Sequence, residues 1–187
     1  MRISAAMFLA VLALPSAAGA QTVVSTGSGL AFECFIHAKA GTKPREGVRL
    51  CDMAFRQDRL NSRDKAATYD NRGVLLNMIN EVDRAEADFK SAIALDPSLG
   101  DPHVNLGSML IRKKQFDEAI AQIDKGLALG MSFPQIGYYN RALAWDYLGK
   151  YPQAYADDKR TLEYDPSLKL ASDRLKDFVV TRKPGQS

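Results

Sequence analysis

The chain repeats itself. Ala87-Asp88-Phe89-Lys90, closing on Asp96-Pro97-Ser98-Leu99, returns as Ala156-Asp157-Asp158-Lys159, closing on Asp165-Pro166-Ser167-Leu168. Upstream and in the same register, Tyr69-Asp70-Asn71-Arg72 returns as Tyr138-Tyr139-Asn140-Arg141, an offset of 69 residues. That is about two units of 34, and the midpoint holds a third copy: His103-Val104-Asn105-Leu106-Gly107, followed by Phe116-Asp117-Glu118-Ala119-Ile120. Self-similarity at such a period constrains the fold more than any local pattern. One short unit cannot bury its apolar face alone, so several must stack.

The repeated residues resemble the tetratricopeptide repeat, a helix-turn-helix unit of 34 residues. The first unit, 63–99, supplies Tyr69, Arg72, Gly73, Leu76, Ala85, Phe89, Ala92 and Pro97, with Arg72 where an aliphatic is usual. The second, 100–133, supplies His103, Leu106, Gly107, Leu110, Ala119 and Ile123, with Met131 in the place of proline. The third, 134–167, supplies Tyr138, Arg141, Ala142, Trp145, Ala154 and Pro166, with Asp158 in the place of the aromatic. The resemblance implies an all-α, right-handed superhelix of three full repeats, a degenerate N-terminal helical pair and a C-terminal capping helix.

Helices are predicted at 65–78, 82–95, 101–112, 116–129, 135–148 and 151–164. Glycine is a poor helix former, so its return at Gly73 and Gly107, with Ala142 as the third member, points to a close helix crossing. Asp96-Pro97, Asp101-Pro102 and Asp165-Pro166 read as capping carboxylates followed by a proline at a first helical position. Gly130 and Pro134 close the second unit.

Both ends of such a stack need covering. After Pro166, the residues Leu168, Ala171, Leu175, Phe178 and Val179 fall on one helical face and predict a capping helix that ends before Pro184-Gly185, within segment 168–187. At the other end, Gly47, Cys51 and Ala54 reproduce the spacing of Ala85, Phe89 and Ala92. This predicts the second helix of a degenerate pair at about 46–60, inside segment 30–62. Cys34 precedes Cys51 by the separation of Arg72 and Phe89, so a Cys34–Cys51 disulfide would staple that pair. Closing such a loop stabilises by roughly 3 kcal/mol in the chain-entropy account.

The first residues address the compartment. Met1-Arg2, an apolar run over 3–14, Pro15-Ser16 and then Ala18-Gly19-Ala20 predict a signal peptide, 1–20, cleaved after Ala20. Residues 21–29 read as a flexible arm. The protein is expected in a periplasm or secreted, where an even cysteine count favours a disulfide. No segment predicts stable membrane insertion. The net charge of +3, with Lys and Arg scattered among Asp and Glu, does not suggest a nucleic-acid binder.

No phosphate loop, nucleophile elbow or metal-ligand spacing is present, so neither catalysis nor a cofactor nor a metal is expected. His103 reads as packing, and the acidic pairs Asp117-Glu118 and Asp157-Asp158 as solvated faces. In relatives the concave face, lined by the first helices, commonly grips an extended peptide or a partner helix. Asn71, Asn105 and Asn140 occupy equivalent places, and a carboxamide can pair with both polar groups of a peptide unit. With Asp70, Asn77, Arg112, Tyr139 and Asp146 they form the candidate peptide-binding set, expected to face the groove. The alternative is a structural subunit of an envelope assembly, or a homo-oligomer, held through its outer face or helical ends.

Overall fold

A computed structural model describes residues 29–178. The signal segment 1–20, the arm before Gly29 and the tail from Val179 onward lie outside the described residues. The described chain begins with α1 (Leu30–Ala40) and α2 (Pro44–Gln57), the degenerate pair. The three full units follow as α3 (Ser62–Met78) with α4 (Val82–Leu95), α5 (Gly100–Arg112) with α6 (Phe116–Leu129), and α7 (Pro134–Tyr147) with α8 (Tyr151–Tyr164). Helix α9 (Lys169–Asp177) closes the stack. It stops sooner than its apolar pattern suggests, because the backbone at Phe178 is already extended.

One turn design recurs inside every full unit. Asn80, Lys114 and Gly149 take left-handed φ values of 64°, 62° and 69°. The amides of Glu81, Gln115 and Lys150 then reach back to the carbonyls of Leu76, Leu110 and Trp145 at 2.9, 2.9 and 2.8 Å. This six-to-one bond satisfies a carbonyl that the ending helix leaves without a partner.

The Asp-Pro pairs do something different from helix initiation. Asp96 and Asp165 stand at the C-caps of α4 and α8. Each carboxylate accepts from the amide and the hydroxyl of the serine two residues on, Ser98 or Ser167. The preceding helix has already ended there, so a short acidic side chain closes a local turn rather than capping the next helix. Asp101 lies inside the first turn of α5 and accepts from Ser132 across the unit boundary.

Small residues hold the helix crossings. A Cβ on Gly73 would stand 2.5 Å from Phe89 Cε1, and one on Gly107 would stand 2.5 Å from Ile123 Cγ1. Ala142 is fully buried at the third crossing. Cys34 and Cys51 form a disulfide with Cα atoms 5.0 Å apart, and both are sealed in the core with Leu75, Leu76 and Phe89.

Two departures from the repeat pattern resolve as ion pairs. Arg72 on α3 grips Asp88 on α4 with two parallel bonds of 2.7 Å and reaches back to Asp52 on α2. Arg141 on α7 does the same with Asp157 on α8 and Asp124 on α6. Asp158 is fully buried against Arg174 of α9, which also bonds Asp146 and the Ala142 carbonyl. Asp157 and Asp158 are therefore not a solvated face: each is buried opposite its own arginine, whereas Asp117 and Glu118 are exposed.

Candidate functional site

The stack has an inner and an outer side, and helix contacts tell them apart. The first helices touch one another in sequence, α1 with α3, α3 with α5 and α5 with α7, whereas the second helices α2, α4, α6 and α8 make no comparable mutual contact. Closer spacing on one side bends the stack, so the first helices line the concave face.

The candidate residues divide by exposure. Asn71 and Asn140 are only 2% and 3% exposed, so their carboxamides do not form the open ladder expected from the repeat pattern. Their register turns them toward the packed interior between helices. Asn105 is half-buried and donates to Asp70 Oδ1 at 2.9 Å, tying α5 to α3. Asp70 and Tyr139, also expected on the groove, are buried. The polar groups that remain reachable are Asn77, Asn105, Ser108, Arg112 and Asp146, among half-buried Val74 and Leu143.

Arg112 is the exposed charge of this set. Its guanidinium donates to Asn77 and, at 2.8 Å, to Asn80, two neutral carboxamides. No carboxylate among the described residues neutralises it, so it can still attract an acidic group or a carbonyl. Asp146, at the other end of the row, is shared with Arg174 at 3.1 Å.

Burial perturbs several groups without giving them access to a substrate. It pushes the Asp70 carboxyl up to about 8, against the opposing bond from Asn105, and Oδ2 has no partner among the described residues. Burial also raises Asp101 and Asp158 to about 6, the latter despite Arg174, and raises the Tyr139 phenol. His103 is lowered by burial and bonds Gln122 through Nδ1 at 2.7 Å. It packs in the interior, where the repeat pattern places an aromatic. Shifted groups of this kind mark catalytic sites only where they meet a cleft, and Asp70 is sealed.

No protein-family model matches the chain. Among curated proteins, Hsp70-Hsp90 organizing protein 2 of Arabidopsis thaliana is 26% identical over 148 residues, which is 77% of this chain and 25% of that protein. The chain spans a quarter or less of the curated relatives it matches. Among solved structures, PilW, a type IV pilus biogenesis factor, superposes with a TM-score of 0.67 at 22% identity over 78% of this chain and 65% of that one. The first repeat domain of Spaghetti (RPAP3), bound to an HSP90 peptide, gives 0.58 at 24% identity over 64% and 93%. YrrB, described as having an unusual peptide-binding site, gives 0.61 at 16% identity over 79% and 73%. The repeat pattern, the stacked pairs and these likenesses agree: the chain has the tetratricopeptide-repeat fold.

Proposed function

We propose that the protein is a non-catalytic interaction module whose concave face holds an extended segment of a partner protein. The observation that carries this reading is Arg112, exposed on the inner face and engaged, among the described residues, by the neutral carboxamides of Asn77 and Asn80. Around it, Ser108 and Asn77 offer neutral hydrogen bonds, Val74 and Leu143 offer apolar contact, and Asp146 adds an acidic end. Such a row fits a peptide backbone with an acidic side chain or carbonyl near Arg112. Asn105 acts from the edge of the groove, while Asn71, Asn140, Asp70 and Tyr139 support it from beneath. The Spaghetti domain with its bound peptide and the peptide site of YrrB lend support by analogy of fold. We place the module outside the cytoplasm, on the signal-type start at 1–20 and the Cys34–Cys51 disulfide. Mature protein beginning at Gln21 would bear that placement out, and protein retaining Met1 with free thiols would refute it.

A displayed library of random peptides supplies the test. Arg112→Ala should weaken a selected peptide tenfold or more, since hydrogen bonds to a charged group are worth about 1.5–3 kcal/mol. Lys150→Ala, in the turn before α8, should change nothing. Equal affinity for both variants would move the site away from the groove. A second reading, assembly into a larger structure, has one observation of its own. Leu95, Leu129 and Tyr164 end α4, α6 and α8 at equivalent places, and all three are exposed. Concentration-dependent oligomers dispersed by Leu129→Lys would favour it.

A further inference from the structure

Over the whole chain the charges look balanced, but pairing separates them. Arg45, Arg49, Arg56, Arg59 and Arg63 are all exposed, and none makes an ion pair or side-chain hydrogen bond among the described residues, although Arg63 lies near enough to Asp96 to help lower its carboxyl. From Arg72 onward every described arginine is engaged: Arg72, Arg84, Arg112, Arg141, Arg160 and Arg174 each bond a partner side chain. The acids interleaved with the five are committed elsewhere. Glu46 pairs with Lys43, Asp52 with Arg72, Asp58 accepts from the Ala31 amide, and Asp64 bonds Asn61. Residues 29–65 carry eight Lys and Arg against five Asp and Glu, while 66–178 carry fourteen against seventeen. The described stack is therefore polar along its length, positive at the α1–α2 end.

On α2, residues 45, 49 and 56 fall within about 40° of one another around the axis and span roughly 16 Å along it. The opposite face, Gly47, Val48, Cys51 and Ala54, is buried, and the disulfide ties it to α1. The row thus stands out from a rigid second helix on the outer side, away from the concave face. We infer that this arginine row is a docking surface for anionic lipid headgroups. The guanidinium fork matches phosphate oxygens two at a time. A row of charges on one exposed helix, outside the groove, meets a plane better than it encloses a chain. Three arginines on one amphipathic helix, with Arg59 and Arg63 just beyond its C-terminal end, form the kind of basic cluster that draws acidic lipid. Phe55, the aromatic of α2, is half-buried beneath Arg72 and against Tyr69, so it offers no platform for stacking bases.

The test uses the full mature protein with its disulfide intact, sedimented with vesicles of phosphatidylcholine alone or of phosphatidylcholine and phosphatidylglycerol in two-to-one ratio. Binding should require the anionic lipid and be lost at about 0.5 M salt, where screening shortens the reach of charge to a few ångströms. Arg45→Gln/Arg49→Gln/Arg56→Gln should weaken it about a hundredfold, the combined attraction of three cations at an anionic surface. Lys114→Gln/Lys125→Gln/Lys159→Gln removes the same charge from exposed lysines elsewhere and should retain most of the binding. Unfolding temperatures of both triples, at exposed sites, should match wild type. Equal losses in the two triples, or no binding to the anionic vesicles, would overturn the inference. Binding to polyglutamate or a single-stranded oligonucleotide but not to vesicles would overturn it too, in favour of an acidic protein or a nucleic acid.

Discussion

Asp70 shows how much one residue can differ from its apparent role. Its place on a first helix suggests a groove ligand, yet the side chain is sealed, with Asn105 on one oxygen and no partner among the described residues on the other. Burial holds the carboxyl near 8, so between roughly pH 4 and 8 the folded chain keeps a proton that the unfolded chain releases at about 3.9. Stability must therefore fall as pH rises through that window. Asp101 and Asp158, raised to about 6, add to the fall in its lower half. The unfolding temperature of wild type should decline from about pH 5 to about pH 8, and Asp70→Asn should flatten the upper part of the decline. An unchanged slope in the variant would show that Asp70 does not carry it. Lys114 offers the opposite kind of test. It occupies the left-handed turn position that Gly149 fills in the next unit. A side chain there costs about 1 kcal/mol, so Lys114→Gly should raise the unfolding temperature by a few degrees. Glycine's looser unfolded chain sets the limit of the gain.

At the scale of elements, the two arginine clasps and the unit between them solve one packing problem in two ways. Units one and three place arginine on the first helix opposite aspartate on the second: Arg72 with Asp88, and Arg141 with Asp157. The middle unit has Leu106 and Gln122 at the same places, and Gln122 bonds His103 instead. Arg141→Leu alone strands Asp157 and should destabilise by about 3–5 kcal/mol, as removing one partner of a buried pair does. Arg141→Leu with Asp157→Gln copies the middle unit and should recover most of that loss in chemical denaturation. Equal instability of the single and double variants would mean that the carboxylate is not the source. The sequence carried this clasp, since the unusual arginine returns together with its aspartate at the same offset of 69 residues. Helix positions, small crossing residues and the disulfide were legible because each depends on spacing within one unit. The roles of Asn71, Asn140, Asp157 and Asp158 were not, because their burial depends on which neighbouring unit covers them. Asp158 is the clearest case: only Arg174, from a helix beyond the repeats, makes a buried carboxylate acceptable at an aromatic position.

The described helices form a row of neighbours, and the two ends of that row differ. At the C-terminal end, Lys176 stands on α9 where Gly73, Gly107 and Ala142 admit a second helix in the units before it. Its exposed, charged chain does not admit a crossing as close as those three. At the N-terminal end, α1 and α2 touch α3 and make no comparable contact with any later helix. With so little neighbouring surface, the pair depends on the Cys34–Cys51 bond, whose loss should cost the pair roughly 3 kcal/mol. In a one-dimensional stack that loss decays along the row instead of spreading evenly. Hydrogen exchange on Cys34→Ala/Cys51→Ala should therefore show α1 and α2 opening most. Protection in α3 and α4 should fall less, through Leu75, which packs against the Gly47 crossing. Helices α5 to α8 should keep their wild-type protection. Loss of protection by the same amount in every helix would mean that the protein unfolds as one cooperative body and that the disulfide holds the stack as a whole.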